Sequence, residues 1–343
     1  MAIRIGLVGY GVGGRLFHAP YLQASDQCEL VGVVARSSER IAQVHEDLPD
    51  VPVFSSLEDL AHAGAEAVVI STPPTTRQAL VLEALGLGMH VVADKPFAPS
   101  AAAARELADA ADAAGLLLNV FHNRRLDADI VTARGVLDSG VLGELRRLDL
   151  RCDQDDPSTL EAGEGGGLLR DLGSHVVDQA LYLCGPARRV HAILDVVELP
   201  AGVTDCGFAV TIEHANGCHS HISSSKLDRL ASREIRLHGT EGSYVSDYTD
   251  VQVDAVLAGE RPAGSRDTWG YESPARWGAL RTGAGETRVP SAQGDYTAYY
   301  DAFAAAVLAG GHGPVPADEG IAVLAVLDAA RESAARGSVV DLL

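Results

Sequence analysis

Lysine is almost missing from this chain. Of its 27 basic residues only Lys95 and Lys226 are lysines, and the rest are arginines. Cysteine is scarce too. The five residues are odd in number and widely spaced, with no C-x-x-C pair, which excludes a disulfide framework and predicts a reducing, cytoplasmic setting. Positive charge is outweighed: 47 acidic residues leave a formal charge of −20. Such a chain has no general attraction to nucleic acid or anionic membrane, and a phosphate-bearing ligand must be held by local donors against the overall field. No apolar run approaches the roughly 18 residues of a membrane span. No basic segment precedes an apolar one at the front, so no secretory leader is predicted. G-x-S-x-G is absent, which removes the serine-hydrolase elbow. What is present is ordinary for a globular protein. At 343 residues, 47% apolar and 22% charged, the chain is long enough for about two domains with real cores.

The first 120 residues alternate short apolar runs with helical patterns. Strands are predicted at 3–8, 30–35, 67–70, 90–93 and 116–120, and helices near 13–23, 38–46, 75–87 and 100–114. Continuously apolar strands alternating with helices predict a doubly wound parallel sheet. After residue 122 the rhythm changes. Helices are expected near 127–139, 168–184, 295–309 and 318–335, with strand after strand from 188 to 256. Asn216-Gly217 predicts a two-residue hairpin turn, and the Gly/Pro-rich stretch 259–294 reads as long loops. The expected organisation is thus an α/β chain. A Rossmann domain over 1–122 precedes an α+β domain over 123–343 with an open, mostly antiparallel sheet.

The first strand runs into Gly9-Tyr10-Gly11-Val12-Gly13-Gly14 and then a helix. This is G-x-G-x-x-G in its proper context. Gly9 permits the turn, Gly11 lets backbone approach a pyrophosphate, Gly14 allows helix to pack on strand, and the helix N-terminus faces the phosphates. An NAD site would place Asp or Glu at the tip of the second strand. Here the tip reads Ala35-Arg36-Ser37-Ser38-Glu39-Arg40. Arg36, Ser37, Ser38 and Arg40 suit a 2′-phosphate, so NADP is expected ahead of NAD.

Lys95 follows the fifth strand, at the carboxyl end of the sheet where ligands of such folds bind. In a chain that otherwise uses arginine, an ammonium retained there points to chemistry, because it is compact and can lose its proton when desolvated. Lys226, by contrast, reads as a surface lysine. Asp171, His175 and Asp178 are spaced i, i+4, i+7 on the helix predicted over 168–184, behind the GEGGG patch at 163–167. An imidazole flanked by a carboxylate can take a proton from an alcohol, while a capped polar helix face accounts for the same spacing without chemistry. His214, His219 and His221 would share one face if the hairpin turn has two residues. A packed sheet is the reading there, and no metal is expected. The acidic run at 152–157 reads as a loop near the substrate mouth, with Asp153 or Asp155 accepting hydroxyl groups.

Taken together, GLVGYGVGGRLFHAP, STPPTTR, DKP at 94–96, LNVFHNRR at 118–125 and GGGLLRDLGSHVVDQAL at 165–181 resemble the glucose–fructose oxidoreductase/inositol dehydrogenase family (Gfo/Idh/MocA). The resemblance runs over essentially the whole chain and is strongest to the NADP-dependent scyllo-inositol dehydrogenase branch. The family usually has Glu-Lys-Pro where this chain has Asp94-Lys95-Pro96. The resemblance implies that Lys95 contacts the reacting hydroxyl and that Asp171 and His175 form the acid–base pair. It also implies that Thr72, Pro73, Pro74 and Asp94 line the path from adenosine to nicotinamide, with Asn123 and Arg124 near the nicotinamide or substrate. A later loop containing Arg276-Trp277-Gly278 would close over the pocket and bring Trp277 to the cofactor. The second sheet would form a homodimer or homotetramer. The expected activity is hydride transfer between NADP(H) and a secondary alcohol or ketone of a cyclic polyol or sugar. The alternatives are a non-catalytic NADP(H) sensor, which has no need of an acid–base set, and transient redox or reduction of a nonsugar on the same fold.

Overall fold

The apolar runs at the front of the chain become the inner strands of one sheet. The computed structural model describes residues 2–163, 165–247 and 249–342. Strands β1 (Ile3–Val8), β2 (Cys28–Val34), β3 (Val53–Phe54), β4 (Ala67–Ile70), β5 (His90–Ala93) and β6 (Leu118–Val120) pair in the order β3-β2-β1-β4-β5-β6, all parallel. That is a doubly wound parallel sheet, as expected. Strand order reverses beside β1, and a ligand crevice forms at the carboxyl ends on either side of such a reversal. Ser37, Ser56 and Ser100 each accept a backbone N–H at the start of the helices Ser38–Asp47, Leu57–His62 and Ala101–Ala114, satisfying donors the first helical turn leaves open. The Leu57–His62 helix and the two-residue β3 are too short for periodicity to reveal.

The compact unit built on this sheet comprises Met1–Asn123, Val253–Trp269 and Asp295–Ile321. The helix Thr297–Ala309 packs on β1 and β2. Aromatic residues are only 5% of the chain, and several of them gather here. The Phe121 ring lies 5.0 Å from that of Tyr299 and 5.6 Å from that of Tyr300, and the Tyr299 hydroxyl donates to the Val120 carbonyl at 2.8 Å.

The second unit comprises Arg124–Gln252, Gly270–Gly294 and Ala322–Leu343. Its sheet contains β7 (Leu145–Asp155), β8 (Ala187–Leu199), β9 (Gly202–His214), β10 (His219–Ser225), β11 (Leu227–Gly239), β12 (Gly242–Asp247), β13 (Gly278–Thr282), β14 (Gly285–Val289) and β15 (Val340–Asp341). The spatial order is β14-β13-β12-β11-β7-β10-β9-β8-β15, with β7 and β10 parallel and every other pair antiparallel. The Leu168–Cys184 helix lies across β7, β9 and β10. Strand residues Val190, Ala192, Phe208, Val210, Ile212 and Ile222 are buried in alternation. Ile193, Val196 and Val203 are exposed apolar residues of β8 and β9.

Besides the acidic run 152–157, which was expected as a loop and lies mostly in β7, three details differ from the sequence expectation. The β9–β10 loop has three residues, Ala215-Asn216-Gly217, because His214 pairs with Cys218 and Gly217 takes φ +85°. One residue of register moves every side chain to the other face. His214 is therefore buried, bonded to Ser220 Oγ at 2.6 Å and to the Gly185 carbonyl at 2.7 Å, while His219 and His221 stand on the opposite face. Among the described residues no His, Cys, Asp or Glu group is arranged to hold a metal. Second, the stretch 259–294 contains the β13–β14 hairpin, whose register pairs Thr282 with Gly285. Its strands are short and half exposed, so the flanking glycines and prolines mask them. Third, Val251–Leu257 is a helix rather than the end of a strand.

Candidate active site

At the end of β1 the glycines take different tasks. Gly9 has φ +94°, and a Cβ there would lie 2.1 Å from the Ser71 carbonyl oxygen. A Cβ on Gly14 would lie 2.1 Å from the Gly9 carbonyl oxygen, whereas one on Gly11 would meet nothing within 4 Å. The turn thus closes tightly on itself at Gly9 and Gly14 and leaves open space at Gly11. Val12 is exposed beside it, and Gly13 begins the helical run that ends at Ala24.

A cleft of about 560 Å³ opens beside this turn. One wall carries Gly9, Tyr10, Ala35, Arg36, Ser37 and Arg40, and the other Thr72, Pro73 and Thr76. Six of the residues expected from sequence to touch a dinucleotide are therefore together: Gly9, Arg36, Ser37, Arg40, Thr72 and Pro73. Ser38 and Pro74 do not line the cleft and instead begin the helices Ser38–Asp47 and Pro74–Gly86. A dinucleotide fits this arrangement. The open backbone at Gly11 would admit a pyrophosphate, and the cations at the β2 tip offer donors to a phosphate monoester. Tyr10, Thr76 and Glu83 line the cleft but were not expected to. Thr76, Leu80 and Glu83 follow i, i+4, i+7 spacing, a helix face legible as a stripe though not as a ligand contact.

Beneath the turn, Asp94 accepts from Ser71 Oγ at 2.8 Å and lies 3.5 Å from His18 Nε2 and 3.8 Å from Arg77 Nη2. Desolvation pushes its pKa up, but His18, Arg77 and the Ser71 hydroxyl outweigh burial and hold the carboxyl well below its usual range. A Cβ on Gly13 would stand 3.1 Å from its Oδ2, so Asp94 supports the turn from below. The next residue, Lys95, is half-buried, its carbonyl accepts from Arg77 at 2.8 Å, and the Lys95–Pro96 bond is cis.

In the second unit the Leu168–Cys184 helix carries the expected acid–base residues. Its start is tied by Asp205, whose carboxylate accepts from the Leu169 N–H at 2.6 Å. Gly167, at φ +93°, leaves the space this carboxylate uses, since a Cβ there would be 2.1 Å from Asp205 Oδ1. Glu164 of the glycine patch lies outside the described residues. Asp171 is half exposed in the first turn, and His175 is buried one turn on. Asp178, the third of the expected residues, is paired with a cation. It is fully buried and accepts from Arg125 at 2.5 and 2.9 Å.

The largest departure from expectation is Lys226. It is not on the surface: only 6% of its side chain is exposed, and its Nζ lies 2.9 Å from Asp171 Oδ2. The signal was present in the sequence, because the scarcity argument applied to Lys95 holds equally for Lys226. Arg124 Nη1 contacts Asp250 at 2.6 Å and Asp127 at 3.2 Å, and Arg233 shares the same Asp250 oxygen at 2.6 Å. Burial alone would raise the Asp250 pKa, but the two guanidinium groups hold it low. Asp153 is buried on Arg151, and Asp155 pairs with Arg229. Asn123 is buried at the end of the first unit's N-terminal segment. Trp277 is partly exposed, between the Pro274–Arg276 turn and β13. No helix among the described residues is long and apolar enough to cross a membrane, and all five cysteines are unbridged and buried.

Residues 3–122 match the family model described as "Oxidoreductase family, NAD-binding Rossmann fold", and residues 130–245 match the GFO/IDH/MocA C-terminal domain. The chain is 31% identical over 341 residues to scyllo-inositol 2-dehydrogenase (NADP(+)) IolW of Bacillus subtilis, covering 96% of this chain and 93% of the relative. It is 35% identical over 342 residues to the uncharacterized oxidoreductase YdgJ of Escherichia coli, covering 97% and 96%. Among solved structures, the oxidoreductase yvaA from Bacillus subtilis matches with a TM-score of 0.90 at 30% identity, over 100% of both chains.

Proposed function

The chain belongs to the Gfo/Idh/MocA oxidoreductase family, and we propose that it transfers hydride between NADP(H) and a secondary alcohol or ketone of a cyclic polyol or sugar. One observation carries the choice of NADP over NAD. The β2 tip that walls the dinucleotide cleft presents Arg36, Ser37 and Arg40 where an NAD site would place a carboxylate. The similarity to an NADP-linked scyllo-inositol 2-dehydrogenase supports both the cofactor and the inositol-like substrate class.

In this reading Gly9, Gly11, Val12, Gly13 and Gly14 hold the pyrophosphate. Arg36, Ser37 and Arg40 hold the 2′-phosphate, and Thr72, Pro73, Asp94, Asn123 and Trp277 complete the cofactor site. When bound, the nicotinamide accepts or supplies the hydride. The protein supplies position and proton transfer. In the oxidative direction His175 takes the hydroxyl proton. Asp171 orients the imidazole and offsets its charge, and Lys95 donates to the oxygen as it gains alkoxide character. Reduction runs the same steps backward, with His175 as the acid. Arg124 and Asp153 contribute to the substrate side. The unbridged cysteines and acidic charge suit a cytoplasmic enzyme.

Initial rates with NADP⁺ and NAD⁺ against myo-inositol, scyllo-inositol, glucose and xylose, followed by the absorbance of reduced nicotinamide, test the reading. Turnover with NADP⁺ on at least one of them is expected. None on any of them, with NADPH still bound, would overturn the substrate class. Arg36→Ala is expected to raise the KM for NADPH about tenfold or more, the worth of one or two charge-assisted hydrogen bonds, while leaving that for NADH nearly unchanged. Equal effects on both cofactors would show that Arg36 does not read the 2′-phosphate.

Self-association through the second sheet belongs to the same proposal. Its support is the exposed Ile193, Val196 and Val203 on neighbouring strands, apolar surface of a kind that marks interaction sites. Light scattering should report a dimer or tetramer, and Ile193→Asp with Val203→Asp should shift it toward monomer. A monomeric parent protein would remove this part.

A further inference from the structure

We infer that Lys226 is a positioning residue for the reaction, anchoring the Asp171 carboxylate that serves His175. The inference rests on the acid–base roles proposed above for those two residues. Lys226 occupies the single position between β10 and β11. Its backbone is fixed in both directions: its N–H donates to the Cys206 carbonyl at 3.0 Å, and its own carbonyl accepts from the Asp156 N–H at 3.1 Å. The side chain then runs inward. Nζ donates to Asp171 Oδ2 at 2.9 Å and reaches the Thr159 carbonyl at 3.5 Å.

The asymmetry of this pair is informative. Lys226 is 6% exposed and Asp171 is 50% exposed. A buried ammonium requires a counter-charge, and Asp171 is the carboxylate it meets. The aspartate, still half open, keeps surface for a second task. Holding one of its oxygens against a fixed ammonium restricts the carboxylate to a narrow range of orientations on the first turn of the Leu168–Cys184 helix. His175, at i+4, lies over the same face. The anchor therefore sets where the negative charge stands when the imidazole takes up a proton.

The geometry also accounts for a lysine here in a chain with 25 arginines to two lysines. The head group meets one carboxylate oxygen and one carbonyl. Three donors on a compact ammonium suit two acceptors, whereas a planar guanidinium brings five donors and a wider head into the same space. Both lysines of the chain thus fall on residues assigned to the chemistry, Lys95 directly and Lys226 through Asp171.

The test is a double-mutant cycle in the full chain, using whichever polyol of the panel above gives the highest rate with NADP⁺. Lys226→Met should lower kcat by about ten- to a hundredfold, the scale of a misplaced catalytic group. The KM for the polyol and the affinity for NADPH should stay nearly unchanged. Asp171→Asn should also lower kcat, and Lys226→Met should add almost nothing to it, because the ammonium acts through that carboxylate. Lys226→Arg should fail to restore the rate. If Asp171→Asn leaves kcat intact, the proposed role of Asp171 has failed. If Asp171→Asn is impaired while Lys226→Met is normal, or the two losses multiply, Lys226 is not its anchor and the acid–base reading survives. Should Lys226→Met fail to fold, the double variant leaves no unpaired charge and is compared with Asp171→Asn alone. A further drop in kcat there overturns the inference, and equality supports it.

Discussion

Replacing His175 by alanine is expected to lower turnover at least a hundredfold while leaving NADPH binding unchanged, and Lys95→Ala should do the same. The two losses arise from different physics. Without His175 the hydroxyl proton has no positioned acceptor, and general acid–base assistance is worth about 10²–10⁴ in rate. Without Lys95 the developing alkoxide loses a cationic donor, and removing one such donor elsewhere costs roughly 10²–10³. Neither residue lines the cleft that holds the β2-tip cations, so the affinity for NADPH, read by fluorescence titration, should stay within about a factor of two, well inside the tenfold that 1.4 kcal/mol makes. Near-normal turnover in either variant would remove that residue from the mechanism. A matched loss of turnover and of NADPH binding would instead mark it as structural.

The first sheet and its glycine turn were largely legible because their signals are local and redundant. An apolar strand, a glycine turn and a helix follow one another in sequence, and the turn fixes what the strand can do. The second unit was legible only in part: its main helices and the run of strands after 188 were expected, but β7, the β13–β14 hairpin and the strand register were not. At the β9–β10 hairpin, Asn216-Gly217 announced a turn, yet whether two or three residues form it is decided by pairing across the strands. One residue of difference sent His214 to the buried face. Lys226 shows the other limit. Its partner Asp171 is 55 residues away in sequence, and no local pattern encodes that contact. The only trace was compositional, a lysine where the chain otherwise spends arginine. The Asp205 cap on the Leu168–Cys184 helix is of the same kind. Gly167 belongs to the glycine patch visible at 163–167, but the carboxylate that fills the space beside it comes from β9.

Gly11→Val and Gly14→Ala should separate binding from folding, and they do so within one six-residue turn. At Gly14 a methyl would stand 2.1 Å from the Gly9 carbonyl oxygen, inside any contact distance and against backbone that cannot rotate away. The variant must shift the helix from β1, and a loss of stability of several kcal/mol is expected, since overpacking a tight site typically costs about 1–3 kcal/mol before backbone is involved. At Gly11 a Cβ would meet nothing in the protein within 4 Å, so the melting temperature should hold. Yet that space is where a pyrophosphate must approach the backbone for its N–H groups to bond it. Losing two charge-assisted hydrogen bonds of about 1.5–3 kcal/mol each weakens NADPH binding by about a hundredfold or more. Calorimetry for stability and fluorescence titration for NADPH give the two readings independently. A Gly11→Val protein that melts normally and binds NADPH normally would place the pyrophosphate elsewhere. A Gly11→Val protein that fails to fold would mean the open space belongs to the folded chain itself, and the turn would no longer be evidence for a dinucleotide.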